Sequence, residues 1–374
     1  MSQIQEGISA QVLNASVHDV RYLTALLRGV NFSNRATISI TKGGLIISVE
    51  EARTLLATAY IFSSVFDEYE YQPEAPPPQP SADSSSSANP PPATDVAFEI
   101  PLNTLIECLN IFGTAGTSNS NLNPSTKTRQ WRKVGEEEDG DDQDELRGSG
   151  ASRRRDGRGR GRGRGGGASG NGRIDQFFGA EKGTAMRVSY AGPGYPLTLL
   201  ITEDSGGPTA TCEITTFEPE PQLELPFEAD QTVLKIILKS SWLRDALSEL
   251  DPSCERLTII ANPPPASGRA PRASAQPRLR LKAVGTFGST EMDYPSDKDV
   301  LEACDCPAPV GFSYKFAHIA RASRALQTST KTSMRIDRDG LLSLQFLMPS
   351  RGPQGGNTSD AFIEFRCLAL DEDL

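Results

Sequence analysis

The residue types that carry most enzyme chemistry are thinly spread along this chain. It holds 2 His, His18 and His318, and 6 Cys among 374 residues. No Ser, His and Asp fall into a pattern that marks a charge-relay nucleophile. No Gly-x-x-x-x-Gly-Lys-Ser/Thr loop is present to cradle nucleotide phosphates. The cysteines, Cys108, Cys212, Cys254, Cys304, Cys306 and Cys367, are scattered and form no Cys-x-x-Cys pair. Most sit in apolar runs, as buried thiols do, rather than in a disulfide framework. Cys304-Asp305-Cys306 offers two thiols with no second pair to complete a four-ligand zinc set. A nuclease needs clustered carboxylates that hold two metals about 4 Å apart. The acidic candidates are Glu136 to Glu145, inside a low-complexity run that cannot preorganise a site, and the tail Asp371-Glu372-Asp373. The expectation is therefore no catalytic residue, no metal and no cofactor.

Arginines on amphipathic helices are a stronger pattern. The stretch Val12 to Glu50 reads as a short apolar run, a helix, then two strands around a Lys42-Gly43-Gly44 turn. The helix is expected from about Ser16 to Arg28, with Ser16 as N-cap and Gly29 just past the end. At a period of 3.6, Val20, Leu23, Leu27 and Val30 share one face, and His18, Arg21, Ala25 and Arg28 the other. The following strands alternate Ala36, Ile38, Ile40 against Thr37, Ser39, Thr41, as a half-buried antiparallel hairpin does.

Composition says that only part of the chain builds a core. The hydrophobic fraction is 37%, with 27 Pro and 33 Gly. The low-complexity stretches explain this. Gln72 to Thr94 is rich in Pro and Ser; Thr114 to Thr184 carries the acidic block and then an Arg/Gly block; Asn262 to Pro277 is rich in Pro and Arg. Such segments cannot bury a core and read as disordered insertions. The Arg/Gly block has two readings, a single-strand or RNA contact by charge and stacking, or an insertion with its charge balanced by the acidic block. Net charge is -10. Any nucleic-acid contact must then be a local basic face on an acidic molecule. No charged leader with a long apolar stretch and no run of about 18 apolar residues is visible, so an intracellular, reduced protein without a membrane span is expected.

Between the insertions the chain repeats one plan. Strand, helix and a group of strands run from Val12 to Thr215, with a second short helix at Asn103 to Phe112. Phe217 to Asp230 is acidic, punctuated by Pro and extended, as a connector is. The plan then returns: a strand at Val233 to Leu238, a helix at Ser240 to Leu250, further strands, and a helix at about Ala317 to Gln327 with Ile319, Ala322, Ser323 and Leu326 inward. This is a duplication of architecture rather than of residues. The expected fold class is α+β, with half-domains at 1–215 and 232–374 around a connector at 216–231.

This repeated plan resembles the DNA sliding clamp, of which proliferating cell nuclear antigen is the type member. Particular segments are similar to one subunit type. They are Val12-Leu-Asn-Ala-Ser with Asp19-Val20-Arg21, Glu107-Cys-Leu-Asn-Ile-Phe-Gly113 and Gly192-Pro-Gly-Tyr-Pro-Leu197. Leu243-Arg-Asp-Ala-Leu-Ser-Glu-Leu-Asp251, Gly288-Ser-Thr-Glu-Met-Asp-Tyr-Pro295 and Asp339-Gly-Leu-Leu-Ser-Leu-Gln345 complete the set. They look like the Rad-one subunit of the heterotrimeric checkpoint clamp. The resemblance implies a clamp fold with inner helices and an outer antiparallel wall. It further implies Rad-nine-like and Hus-one-like partner subunits, an ATP-driven clamp loader, double-stranded DNA through the ring, support of checkpoint kinase signalling, and a nuclear location. Exonuclease activity has been ascribed to members of this family, so a 3′–5′ exonuclease is the alternative.

Within that resemblance, Arg21, Arg28, Arg244, Arg321 and Arg324 are expected to face DNA, because each lies off the apolar side of its helix. Basic residues there would attract phosphates without reading sequence. The helix at Asn103 to Phe112 disagrees: it carries Glu107 and no basic residue. Asn171 to Phe178 reads NGRIDQFF. Clamp-binding peptides follow Gln-x-x-aliphatic-x-x-aromatic-aromatic, and Ile174, Phe177 and Phe178 match while Asn171 replaces Gln. This segment is expected either to dock on a clamp, including the replicative one, or to pack back onto the strand near Met186.

Overall fold

A computed structural model of the chain describes residues 11–73, 96–113, 183–203, 206–264, 277–349 and 361–371. All of them belong to one compact unit, Met1–Thr117 with Lys182–Leu374. The fold is α+β. The first half runs β1 (Leu13–Val17), α1 (Val20–Val30), β2 (Arg35–Thr41), β3 (Gly44–Glu51), β4 (Leu55–Phe62), β5 (Glu68–Tyr71), β6 (Val96–Pro101), α2 (Leu102–Leu109), β7 (Ala185–Tyr190), β8 (Leu197–Thr202) and β9 (Thr209–Ile214). The second half runs β10 (Thr232–Lys239), α3 (Ser240–Glu249), β11 (Cys254–Ala261), β12 (Leu279–Gly285), β13 (Gly288–Tyr294), β14 (Leu301–Asp305), β15 (Val310–Lys315), α4 (Phe316–Ala320), α5 (Ser323–Thr328), β16 (Lys331–Asp337), β17 (Leu342–Met348) and β18 (Ala361–Cys367).

The two halves pair their strands by one rule, and every pairing is antiparallel. β1 pairs with β5 and β7, β7 with β8, and β8 with β9. In the second half β10 pairs with β14 and β16, β16 with β17, and β17 with β18. Likewise β2 pairs with β3 and β6, and β3 with β4, matched by β11 with β12 and β15, and β12 with β13. One further pairing joins the halves: β18 lies against β4 from Ala361 opposite Ile61 to Cys367 opposite Leu55. That junction makes a nine-stranded sheet and leaves β9 and β13 at the ends of a five- and a four-stranded sheet. β9 stands where β18 stands in the other half, and β13 where β4 stands.

The helices lie on the apolar side of these sheets. α1 packs on β3, β4 and β18, and it buries Val20, Leu23, Leu27 and Val30, as the 3.6-residue period requires. Its start differs from expectation. Ser16 belongs to β1, and Asp19 is the N-cap, its carboxylate accepting the Arg21 N–H at 2.9 Å. The apolar Leu13–Val17 run satisfies its backbone in a ladder between β5 and β7, so the helix cannot begin before the ladder ends. Gly29 lies inside α1 rather than beyond it, because the helix approaches β18 closely there. A Cβ at Gly29 would come 2.5 Å from Ile363 Cδ1.

The last helical stretch is broken rather than continuous. Arg321 N bonds to His318 O and Ala322 N to Ile319 O, both three residues back. This tighter winding has three residues per turn and puts Ile319, Ala322 and Ala325 on one side. Ala325 is therefore buried and Ser323 is exposed, the reverse of the expected assignment for Ser323.

On the sheet face away from the helices, the segment after β9 is strapped down by charged groups. Phe217 bridges to Glu99, Glu220 N donates to Glu99 Oε1, Leu223 N donates to Glu50 Oε2, and Arg366 Nη1 donates to the Leu225 carbonyl. Arg35 stacks over Phe217 and Arg335 over Phe227, at 5.2 and 4.6 Å. Beneath lies a polar cavity of about 200 Å³, lined by Ser33, Arg35, Glu50, Glu99 and Glu220 among others.

Candidate nucleic-acid interface

The helices stand side by side. α1 contacts α2 on one flank and α5 on the other, and α5 contacts α3. The order across the row is thus α2, α1, α4–α5, α3. Helices far apart in sequence meet here because the three sheets bury their helix-bearing faces in one core. The solvent side of this row carries the five arginines expected to face DNA, and the structure gives each of them surroundings the sequence did not supply.

Arg21, on the first turn of α1, folds back on the N-cap. Its Nε and Nη2 donate to Asp19 Oδ2 at 2.9 and 2.7 Å. Burial pushes the Asp19 carboxyl up, but the hydrogen bonds and charge of Arg21 outweigh this and hold it below its ordinary value. Arg28 sits half-buried in the last turn of α1, where a cation suits the helix dipole. Arg244 on α3 donates from Nε to its neighbour Asp245 at 3.1 Å. Arg321, between α4 and α5, grips Glu51 at the end of β3 with both Nε and Nη2, at 3.0 and 3.1 Å. Arg324 donates from Nη1 to the carbonyl of Asn31, the C-cap of α1, at 2.8 Å. On α2 the exposed groups are Asn103, Thr104 and Glu107, with no cation, as the sequence indicated. Asn31 Nδ2 donates to Asn103 Oδ1 at 2.8 Å, which ties the flank of α2 to the end of α1.

Asp19, Glu51 and Asp245 are thus members of this surface that sequence reasoning missed. Asp19 and Asp245 lie within two residues of their arginines, so their pairing had a local signal. Glu51 and Arg321 are 270 positions apart and had none. Asn171, Ile174, Phe177 and Phe178 lie outside the described residues.

The His, Ser and Cys side chains with nucleophile or base chemistry are placed unfavourably for catalysis. The Ser16 hydroxyl turns to Glu68 and not to His18, whose ring bonds Asp67 at 2.8 Å. Cys367 Sγ lies 3.9 Å from His318 Nδ1, but burial pushes this thiol up to about 12. Burial, with the nearby charge of Lys315, also moves His318 toward the neutral imidazole. A protonated thiol beside a neutral imidazole is the opposite of an activated nucleophile. Cys306 Sγ donates to the Ala308 carbonyl at 2.9 Å. Among the described residues no group of three or more His, Cys, Asp or Glu is placed to hold a metal ion.

Fold and surface together define a class: an α+β protein of clamp-like architecture, two halves of one plan with a row of helices on one side, all but α2 bearing arginine. Within that class the chain belongs to the Rad1 family. The family model described as Repair protein Rad1/Rec1/Rad17 matches residues 12–348. The chain is 30% identical over 370 residues to the "Cell cycle checkpoint protein RAD1" of Homo sapiens, covering 99% of this chain and 96% of that one. It is 28% identical over 352 residues to the "DNA damage checkpoint control protein rad1" of Schizosaccharomyces pombe, covering 94% and 84%. It is also 28% identical over 454 residues to the "DNA repair exonuclease REC1" of Mycosarcoma maydis, covering 98% and 97%.

Proposed function

We propose that this chain acts in the DNA-damage checkpoint and in repair, in the nucleus, as a non-catalytic subunit of a ring-shaped clamp around double-stranded DNA. The observation that carries this reading is the junction between the halves. β18 and β4 close the nine-stranded sheet within the chain, and their positional equivalents β9 and β13 are left as sheet ends. An exposed edge is a template for pairing with another chain. The intramolecular junction therefore supplies the pattern for two intermolecular ones. A partner strand on β13 would take the place that β18 has on β4, and β9 would offer a second partner what β18 offers β4. Two different edges on one subunit suit a ring of subunits joined head to tail.

In this reading the helix row faces the hole. Arg21, Arg28, Arg244, Arg321 and Arg324 meet phosphates there without sequence preference, and topology holds the ring on DNA. The partners are Rad-nine-like and Hus-one-like subunits, with an ATP-driven loader to open the ring and checkpoint kinase signalling downstream. The half-domains are 1–215 and 232–374, and the strapped segment 216–231 connects them. Co-expression with such subunits, followed by light scattering, tests the assembly. The expected particle has one copy of each chain, and a chain that ignores both partners overturns the ring. The competing reading is the 3′–5′ exonuclease, favoured by the name of the Mycosarcoma maydis relative. Metal-dependent loss of labelled 3′ ends that tracks with the purified chain would establish it over the non-catalytic one.

A further inference from the structure

Three of the five arginines on the helix row are held by carboxylates: Arg21 by Asp19, Arg321 by Glu51 and Arg244 by Asp245. These pairs lie at the surface. The side chains are 32% and 26% exposed for Arg21 and Asp19, 44% and 30% for Arg321 and Glu51, and 43% and 61% for Arg244 and Asp245. Pairs so exposed contribute little to folding stability, so beyond the capping of α1 by Asp19, stability is a weak reason for their presence. Their effect on an approaching anion is larger. A phosphate that comes to Arg321 meets a guanidinium whose Nε and Nη2 already serve Glu51. It must displace that carboxylate or sit beside it, and both routes oppose binding. The same holds at Arg21, where Nε and Nη2 both serve Asp19. Arg324 differs, since its partner is a neutral carbonyl and its charge is retained.

We propose that Asp19, Glu51 and Asp245 damp the grip of this face on duplex DNA, competing with backbone phosphates for Arg21, Arg321 and Arg244. The inference rests on the reading of the helix row as the DNA-facing surface. It adds that the surface is set below its available affinity by built-in carboxylates. A subunit that topology retains on DNA has no need of tight phosphate contacts, and each contact weakened in this way lowers the resistance to sliding.

Exchange of the carboxylates for carboxamides is the test. Asp19→Asn keeps the N-cap acceptor of α1, and Glu51→Gln and Asp245→Asn are isosteric, so the fold is conserved. The full-length chain, in the complex it forms, is titrated by fluorescence anisotropy against a labelled duplex over a series of salt concentrations. The triple carboxamide variant should bind about tenfold more tightly at low salt. Its plot of log affinity against log salt should steepen by up to about 2 to 3, since each cation released to phosphate adds ~0.9. Glu51→Gln alone should move both quantities in the same direction, with a slope change near ~0.9, and it decides the matter if the triple variant folds poorly. Adding Arg321→Ala to Glu51→Gln should abolish the gain. Unchanged affinity and slope in the carboxamide variants overturn the damping, provided that replacing all five arginines with Ala still weakens binding. If the five-alanine variant binds like the wild type, the DNA-facing reading itself falls, and the damping with it.

Discussion

Glu364 is 3% exposed on β18, and a carboxylate so placed must be fully engaged or it destabilises the fold. It accepts from Ser343 Oγ at 2.6 Å, Arg366 Nη2 at 2.8 Å, Arg335 Nη2 at 3.1 Å and Gln345 Nε2 at 3.3 Å. Arg366 and Arg335 in turn hold Leu225 and Phe227 of the connector. Glu364→Ala leaves two guanidinium groups without their anion and should cost about 3 kcal/mol. Chemical denaturation measures this, and a loss below about 1 kcal/mol would show that solvent replaces the carboxylate readily. Asp19 makes a pH-dependent contribution of known sign. Its folded pKa lies below the ordinary 3.8, so its stabilisation is present above that value and is lost as pH falls through the folded one. Asp19→Asn should therefore lower the melting temperature at neutral pH and flatten the acid limb, so that the difference from the wild type shrinks as pH falls below about 4. An acid limb identical to that of the wild type would mean that the Arg21 contact is absent in solution.

At the level of elements, the packing of α1 decides how much room the helix row has. Gly29 marks its closest approach to β18, and Leu26, Leu27 and Val30 are fully buried around it. Gly in a helix interior costs about 1 kcal/mol relative to Ala, so close packing is the physical reason for a Gly here. Gly29→Val should overpack the contact with Ile363 and destabilise by about 2 kcal/mol. Circular dichroism melting of the purified chain reads this directly, and a variant as stable as the wild type would mean that α1 can move off β18. The break between α4 and α5 serves the same surface. Two bonds to the third residue back turn the chain so that Arg321 reaches Glu51 and Arg324 reaches Asn31. A continuous helix would carry Ser323, not Ala325, into the core.

At the scale of the molecule, exposed edges govern behaviour outside a complex. β9 and β13 present unpaired backbone, and the chain made alone should self-associate or come out of solution. Lys at Thr209 and Thr211, both exposed on β9, should suppress this by charging the edge. Light scattering over a concentration series checks both expectations, and a stable monomer at high concentration would count against edge pairing. Much of the architecture was legible in the sequence. Alternation marked β2 and β3, the 3.6 period marked the buried side of α1, and the apolar run at Val233 to Leu238 marked β10. These signals are local, because a strand or helix with one buried face must repeat its apolar residues at its own period. The start of α1 and the winding near Arg321 were not legible, since a ladder and a packed core fixed them against local preference. That Arg21 and Arg28 lie off the buried side of α1 was written in the sequence. That three of the five arginines on the helix row meet carboxylates, one of them across 270 positions, was decided only when the fold brought the end of β3 to the turn between α4 and α5, because distance along the chain places no limit on contacts made through a shared core.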